Sequence, residues 1–191
     1  MKYPNKSYTT QDRSYLPAKP GDLFALDLFG PSTVARGGVR YTLVCYDVFS
    51  KHVKLHALKA AATRSCLNKL VNHYFTQAIK PKCIFSDNGM QFQSLSWRKK
   101  LAQNNVQVQF TPIRHPQANP RERCMNEISK FCKIYCNQNH KKWGELLPKV
   151  EEWLNTTVAD STGFTPVELL FEAKNPDLFE KILNDITGKS T

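Results

Sequence analysis

The apolar residues of this chain change their spacing once, near residue 60, and this change limits the folds that the chain can adopt. Before it, Leu23–Phe29, Tyr41–Asp47 and Val53–Leu58 are short apolar runs separated by turn signals, which is the pattern of an antiparallel meander. From Thr63, a predicted N-cap, apolar residues recur at helical spacing as far as Phe75. The chain therefore combines a sheet with helices.

The rest of the chain alternates between extended and helical patterns. Residues 82–85 and 106–110 are predicted strands, and 94–104 is a predicted helix between them. Three prolines between 111 and 120 predict a loop, after which helices are predicted from about Arg121, over 143–154, from Pro166 and over 177–186. This order predicts an α/β fold in which a mixed five-stranded sheet carries helices on its faces.

The charge of the chain favours an anionic partner. Lys and Arg total 27 against 16 Asp and Glu, which gives a formal charge of +11. Nucleic acid is the foremost candidate, although a merely soluble basic surface explains the charge equally well. No C-x-x-C pair occurs among the six Cys, and no apolar run approaches the roughly 20 residues of a membrane span. We therefore expect an intracellular, reduced protein.

Three carboxylates occupy positions that each have a structural explanation when taken singly. Asp27 interrupts an apolar strand, where a charge needs a cation, several donors or an exposed strand end. Asp87 closes a short strand before Asn88-Gly89, where ligands collect but where an Asp also caps its own turn. Glu122 stands in the first turn of a predicted helix, where the helix dipole favours it.

Together, the same three acids indicate a metal site. Hard cations such as Mg²⁺ take oxygen ligands, usually a few carboxylates with substrate phosphate and water. Two such ions about 3.5–4 Å apart can hold both the attacking and the leaving oxygen of an in-line phosphoryl displacement. We predict that Asp27, Asp87 and Glu122 converge on one such site if the sheet and the helix pack together.

Four segments of the chain resemble the core of retroviral and LTR-retrotransposon integrases, the gypsy-type elements in particular. They read LDLFGP at 26–31, SDNGMQF at 86–92, HPQANPRER at 115–123 and STGFTP at 161–166. The resemblance extends from about Asp22 to Phe171. Asp87 and Glu122 are 122 − 87 = 35 positions apart, close to the spacing for which the motif of this family is named.

The resemblance implies a ribonuclease-H-like fold and a DNA polynucleotidyl transferase that performs 3′-end processing and strand transfer of element DNA into target DNA. Asp27 would bridge two Mg²⁺ or Mn²⁺ ions, Asp87 would bind one and Glu122 the other, without a covalent enzyme intermediate. The implied partners are element ends, target DNA and a second copy joined through helical faces. The implied location is the nucleus, or a virus-like particle or the cytoplasm before nuclear entry.

Polar residues around these acids are candidates for DNA contacts, with a solvated loop or helix face as the equal alternative. They are Asn88, Gln91, His115, Gln117, Asn119, Arg121, Arg123, Asn126 and Lys130. Asn126 stands where retroviral members often carry a Lys. We expect Asp47 to cap the turn at Ser50-Lys51 rather than to bind metal, and we interpret the basic run 98–100 as an exposed helix face.

The expected organisation is a tail or linker over 1–21, a catalytic core over 22–175 and a C-terminal helix and tail over 176–191. No zinc module precedes Asp27 and no DNA-binding module follows, so we expect an isolated core that needs other modules for concerted integration. Two alternatives stay open. One is a domesticated DNA- or protein-binding module without catalysis, which would not need the acidic triad, and the other is a nuclease acting on RNA–DNA hybrids, against which the order of the acids argues.

Overall fold

A computed structural model describes residues 17–77, 79–110, 130 and 140–172 of the chain. Its five strands correspond to the five predicted from the sequence, with ends that differ by one residue at most. They are β1 (Leu23–Phe29), β2 (Tyr41–Asp47), β3 (Val53–Leu58), β4 (Cys83–Ser86) and β5 (Gln107–Phe110).

The strands form one mixed sheet in the order β3-β2-β1-β4-β5. The first three strands run antiparallel to one another, while β4 runs parallel to β1 and β5 runs parallel to β4. The change from antiparallel to parallel pairing occurs after helix α1 (63–77), because a parallel partner requires a crossover connection. The predicted mixed five-stranded sheet is therefore confirmed.

The helices flank the sheet. After α1, whose middle part Asn68–Tyr74 is wound as a π-helix, come α2 (Met90–Gln93), α3 (Leu95–Gln103), α4 (Trp143–Thr156) and α5 (Pro166–Glu172). The helices predicted from Arg121 and over 177–186 lie outside the described residues, apart from Lys130, which is helical. No helix in the described ranges has the length and apolar character that crossing a membrane would require.

Alternate residues of the strands pack on opposite faces of the sheet. Phe24 and Leu26 of β1 join a core built with α1, α2 and α3, in which Trp97 and Leu101 are fully buried. Ala25 joins the other core, which contains Trp143, Leu147 and Val150 of α4. Because Leu26 and Leu28 both face α1 and α3, Asp27 between them lies on the α4 face of the sheet.

Helix α4 is fixed to the edge strand β3 by polar side chains. The Asn155 side chain both accepts from the Val53 N–H and donates to the Val53 carbonyl, each at 2.8 Å. Glu151 accepts from the Leu55 N–H at 2.8 Å and forms an ion pair with Lys54 at 2.6 Å. These contacts satisfy backbone groups that an edge strand would otherwise present to another chain, and they fix α4 across the sheet.

Two buried acids, Asp47 and Asp22, stabilise the segment just before β1. Asp47 accepts from the backbone N–H of Gly21 at 2.6 Å and of Ser50 at 2.8 Å, which confirms that it caps this turn. Burial raises the pKa of Asp47 above its ordinary value, and these hydrogen bonds lower the pKa only in part. Burial also acts to raise the pKa of Asp22, but its ion pair with Lys82 at 2.8 Å and two backbone N–H donors bring that pKa below the ordinary value.

Two helix starts differ from the sequence prediction. Ala62, not Thr63, is the N-cap of α1, and it makes no side-chain cap hydrogen bond. Thr63 is the first helical residue, and its hydroxyl donates to the Gln91 carbonyl at 2.8 Å instead. Ser94 is not the first residue of α3 but its N-cap, because its hydroxyl accepts from the Trp97 N–H at 3.2 Å.

Candidate active site

Asp27 lies in β1, and Asp87 directly follows β4, the parallel neighbour of β1. The register of these strands pairs Leu26 with Ser86, and each acid is the next residue after its member of this pair. Neighbouring strands lie about 4.8 Å apart. The pairing therefore brings the backbones of Asp27 and Asp87 close together, although the two residues are 87 − 27 = 60 positions apart in the sequence.

Asp27 sits inside β1 without being fully buried. Leu26 before it is completely buried, whereas Asp27 itself is half-buried. One of its carboxylate oxygens accepts a hydrogen bond from the Leu28 N–H at 2.8 Å. Partial exposure with this hydrogen bond lowers the cost of holding a charge within an apolar strand.

Asp87 is exposed and begins a tight turn. Its Oδ1 accepts a hydrogen bond from the Gly89 N–H at 3.0 Å, so the structural explanation considered from the sequence, a turn-capping Asp, is correct as far as it goes. It does not exclude a second use of the group. An ionised carboxylate offers about four lone-pair sites, so one hydrogen bond leaves capacity for a cation.

Gly89 allows this turn to be tight. A Cβ atom at this position would lie 2.9 Å from Asp87 Oδ1 and would also meet the side chain of Gln91. The backbone φ of Gly89 is −57°, which any residue can adopt, so close approach rather than backbone conformation requires the glycine. The side chains of Asp87 and Gln91 thus pack against the same Cα.

A chain of hydroxyl contacts fixes helix α2 behind the turn. Thr63 Oγ1 donates to the Gln91 carbonyl at 2.8 Å, and Ser94 Oγ donates to Thr63 Oγ1 at 3.2 Å. Gln93 Nε2 donates to the Asn88 carbonyl at 2.8 Å, which closes the turn from the other side. No role at this turn was predicted for Thr63 or Ser94 from the sequence, where the one signal was the preference of Ser for N-cap positions.

The structure brings four of the predicted site residues together. Asp27 and Asp87 each directly follow a member of one register pair between β1 and β4. The exposed Asn88 lies in the turn that Asp87 begins, and the half-buried Gln91 lies in α2 just after it. Lys130 is helical and exposed. The remaining predicted residues lie outside the described ranges and stay predictions: Glu122, His115, Gln117, Asn119, Arg121, Arg123 and Asn126.

The donor set at this place suits a hard cation. Within 17–77, 79–110, 130 and 140–172, no group of three or more His, Cys, Asp or Glu is placed so as to hold a metal ion. The predicted third ligand, Glu122, is not among those residues. Mg²⁺ is commonly bound through one or two carboxylates with water and substrate phosphates completing its shell. The residues present, two adjacent carboxylates of which one is exposed, fit that requirement.

Comparison with known proteins gives a family for this arrangement. The model of the integrase core domain family matches residues 17–116. The Pro-Pol polyprotein of feline foamy virus is 33% identical over 156 residues, which cover 81% of this chain and 13% of that protein. Human Gypsy retrotransposon integrase-like protein 1 is 23% identical over 176 residues, which cover 90% of this chain and 33% of that protein.

Solved structures share the fold. A chain of the simian T-cell lymphotropic virus intasome aligns with a TM-score of 0.68 and 16% identity, over 79% of this chain and 54% of that one. The HTLV-2 integrase catalytic core domain, solved in complex with magnesium, aligns with a TM-score of 0.66 and 17% identity. The alignment covers 80% of this chain and 98% of that one. The sheet and flanking helices thus have the ribonuclease-H-like fold of integrase cores. Since the family match covers more than half of the sequence, the chain belongs to the integrase core domain family.

Proposed function

We propose that this chain is the catalytic core of an integrase, a metal-dependent DNA polynucleotidyl transferase with endonuclease activity. Its reactions would be 3′-end processing and strand transfer of element DNA into target DNA. The observation that carries the proposal is the adjacent placement of Asp27 and Asp87 in a chain of the integrase core domain family. A protein that only bound DNA would have no need for two carboxylates at neighbouring strand positions.

Asp27, Asp87 and Glu122 would hold two Mg²⁺ or Mn²⁺ ions, with Asp27 between them. When bound, the ions would neutralise charge on the phosphate and favour displacement at phosphorus. The HTLV-2 core, which shares the fold, was solved in complex with magnesium, and this supports the choice of metal. The Gly89 hydrogen bond would restrain the Asp87 carboxylate, and the Thr63 contact at α2 would restrain the segment after its turn.

The two reactions need no covalent enzyme intermediate. In processing, a water oxygen forms a bond to phosphorus while the bond to a 3′ oxygen breaks, and that oxygen leaves as a 3′-hydroxyl after taking up a proton. In strand transfer, the freed 3′-hydroxyl replaces water and attacks a target phosphodiester. One ester bond forms as another breaks, so no external energy source is required. Asn88 and Gln91, beside Asp87, would donate hydrogen bonds to phosphate oxygens.

The partners of the chain would be element ends, target DNA and a second copy of itself. The charge of +11 supports binding to a polyanion. The HTLV-2 core has been solved in dimeric and trimeric forms, which supports self-association of this chain, and we propose that it occurs through helical faces. An enzyme of this kind would act in the nucleus, or in a virus-like particle or the cytoplasm before nuclear entry.

Nicking and joining of labelled DNA duplexes with Mn²⁺ test the proposal. Asp87→Asn should lower the rate by about 100-fold or more. Mutation of a residue that only hydrogen-bonds to a metal ligand typically costs about 10–100-fold in metal affinity or activity, and loss of a ligand itself should cost at least as much. Glu152→Gln, the same chemical change on an exposed residue of α4, is the matched control and should leave the rate unchanged. Equal residual activity in wild type and Asp87→Asn would contradict the proposal and favour a non-catalytic binding module.

A further inference from the structure

A basic groove runs between helices α1 and α3. Its volume is about 830 Å³, within the range of ligand sites in proteins. One wall carries Arg64, Asn68 and Asn72 of α1, and the other carries Lys99, Lys100 and Gln103 of α3. These six side chains are exposed, and each wall presents them at helical spacing.

The groove carries positive charge without compensating acids. None of the residues that line it is Asp or Glu. Elsewhere in the described ranges, Arg36, Lys54 and Lys82 each form an ion pair with a carboxylate. Arg64, Lys99 and Lys100 take part in none of the ion pairs among described residues. Positive side chains on two facing walls strengthen the positive electrostatic potential in the groove between them, which attracts anions.

One end of the groove adjoins the turn that carries Asp87. Arg64 directly follows Thr63, whose hydroxyl holds the Gln91 carbonyl of α2. On the other wall, Ser96 follows closely after Ser94, whose hydroxyl donates to Thr63 Oγ1. The groove is therefore continuous with the segment that positions the candidate active site.

We propose that this groove binds the sugar–phosphate backbone of DNA beyond the reacting phosphate. The inference rests on the proposed function for the presence of DNA at Asp27 and Asp87. Arg and Lys interleaved with Asn, Gln and Ser is the set of side chains that contacts phosphate and sugar in protein–DNA complexes. The groove is basic and has no Asp or Glu in its lining, and DNA bound in the proposed reaction would be a polyanion near α2, which favours DNA over an acidic protein segment as the occupant.

The structure also revises the interpretation of the basic run 98–100. Arg98 does not line this groove, because its guanidinium lies over the ring of Phe110 at 5.0 Å. Lys99 and Lys100 are exposed, as the sequence indicated, but they point into the groove. The run is therefore divided between two sides of α3, and only part of it belongs to the proposed DNA surface.

DNA binding by two matched double variants of the whole chain tests the inference. Lys99→Gln with Lys100→Gln removes two adjacent groove lysines, and Lys141→Gln with Lys142→Gln removes two adjacent exposed lysines before α4. Affinity for a labelled duplex is measured without divalent metal over a series of salt concentrations. The groove variant should bind about tenfold or more weakly near 0.1 M salt, and its log–log salt slope should fall by about two, at roughly 0.9 per lost phosphate contact.

The control variant should keep nearly the wild-type slope. Equal losses in the two variants would overturn the inference, because they would show an effect of total charge alone. Lysine acetylation mapped by mass spectrometry gives a second readout on the unaltered chain: DNA should protect Lys99 and Lys100 but not Lys141 and Lys142. Polyglutamate binding that depends on Lys99 and Lys100, with DNA binding unaffected by them, would assign the groove to an acidic protein segment and overturn the inference.

Failure of this inference is distinguishable from failure of the proposed function. Wild-type DNA binding by the groove variant, in a protein whose wild type joins DNA, would overturn only the groove. A chain that binds DNA through Lys99 and Lys100 but neither nicks nor joins it would overturn the proposed catalysis and leave the groove in place.

Discussion

Asp27 and Asp87 each follow by one position the register pair Leu26–Ser86 of two parallel strands, which brings their backbone positions close together. Parallel pairing aligns the direction of both strands, so the next residue on each continues along the same edge of the sheet. The relationship is a consequence of sheet order, in which β4 pairs with β1 rather than with β3, the strand before it in sequence. A shift of register by one residue would separate the two acids and turn one of them to the other face.

Gly89→Ala should impair the site while leaving the fold intact. The added Cβ would lie 2.9 Å from Asp87 Oδ1 and against the Gln91 side chain, so the Asp87 carboxylate and the Gln91 side chain must move. Displacing a catalytic group by about 1 Å can cost roughly 100-fold in rate, and we expect a loss of about 10- to 100-fold in Mn²⁺-dependent nicking. Circular dichroism should show an unchanged fold.

Gly144→Ala is the matched control for that substitution. Gly144 lies in α4, and its added Cβ would be 3.5 Å or more from Ala35 and Val39, which is ordinary contact. Alanine also favours a helix over glycine by up to about 1 kcal/mol. We expect full activity and equal or higher stability for Gly144→Ala, and similar activity losses in both variants would contradict the role given to Gly89.

Asp47→Ala should destabilise the chain. Removing the carboxylate leaves the N–H groups of Gly21 and Ser50 without their acceptor in a buried place. Each unsatisfied buried group costs about 1–3 kcal/mol, so we expect a loss of about 2–4 kcal/mol in the free energy of unfolding, measured with urea. Asp47→Asn keeps one acceptor oxygen and should cost less. An alanine variant as stable as wild type would show that this cap does not anchor β1.

The sequence was sufficient for the sheet and less so for the contacts around the site. Apolar runs located all five strands within one residue, because burial on one or both faces of a sheet imposes a strong pattern. Thr63 was wrongly predicted as an N-cap because its hydroxyl bonds to Gln91, a tertiary partner that no local pattern reveals. The helix α2 was missed because its four residues are too few to show a recurring helical spacing of apolar residues.

For the acidic residues too, the sequence predicted the local position of each residue but not its tertiary neighbours. Asp27 and Asp87 were identified from their strand and turn positions and from the family resemblance, but their adjacency depends on which strands pair, and this is a property of the whole sheet. Glu122 and the loop before it lie outside the described residues and stay predictions. The basic groove joins two helices that are separated by a strand in the sequence, so no single segment could have indicated it.

The chain should lose stability in mild acid through His56. Burial, together with the positive charges of Lys54, Lys69 and His73, lowers the pKa of His56 from 6.5 to about 4. Among described residues its Nε2 has no hydrogen-bond partner, and its ring meets Tyr74 edge-on at 6.2 Å. The folded chain therefore holds His56 neutral, while the unfolded chain binds a proton below about pH 6.5.

The sign follows from that difference. The unfolded state binds more protons between about pH 6.5 and pH 4, so stability falls as pH falls through this window, by about 2 kcal/mol between pH 7 and pH 5. Urea unfolding at the two pH values measures the loss. His56→Phe fills a similar volume without a titrating group and should show a smaller loss, and an unchanged loss in that variant would assign the acid sensitivity to other groups.

A crystal structure of the chain soaked in Mn²⁺, with the ion located by its anomalous scattering, tests the metal site at Asp27 and Asp87 most directly. We expect an Mn²⁺ peak about 2 Å from carboxylate oxygens of both Asp27 and Asp87, absent in crystals of Asp87→Asn. Mn²⁺ bound to neither acid at saturating concentration, or a peak retained unchanged in Asp87→Asn, would contradict the claim that the pairing of β1 with β4 creates a metal site.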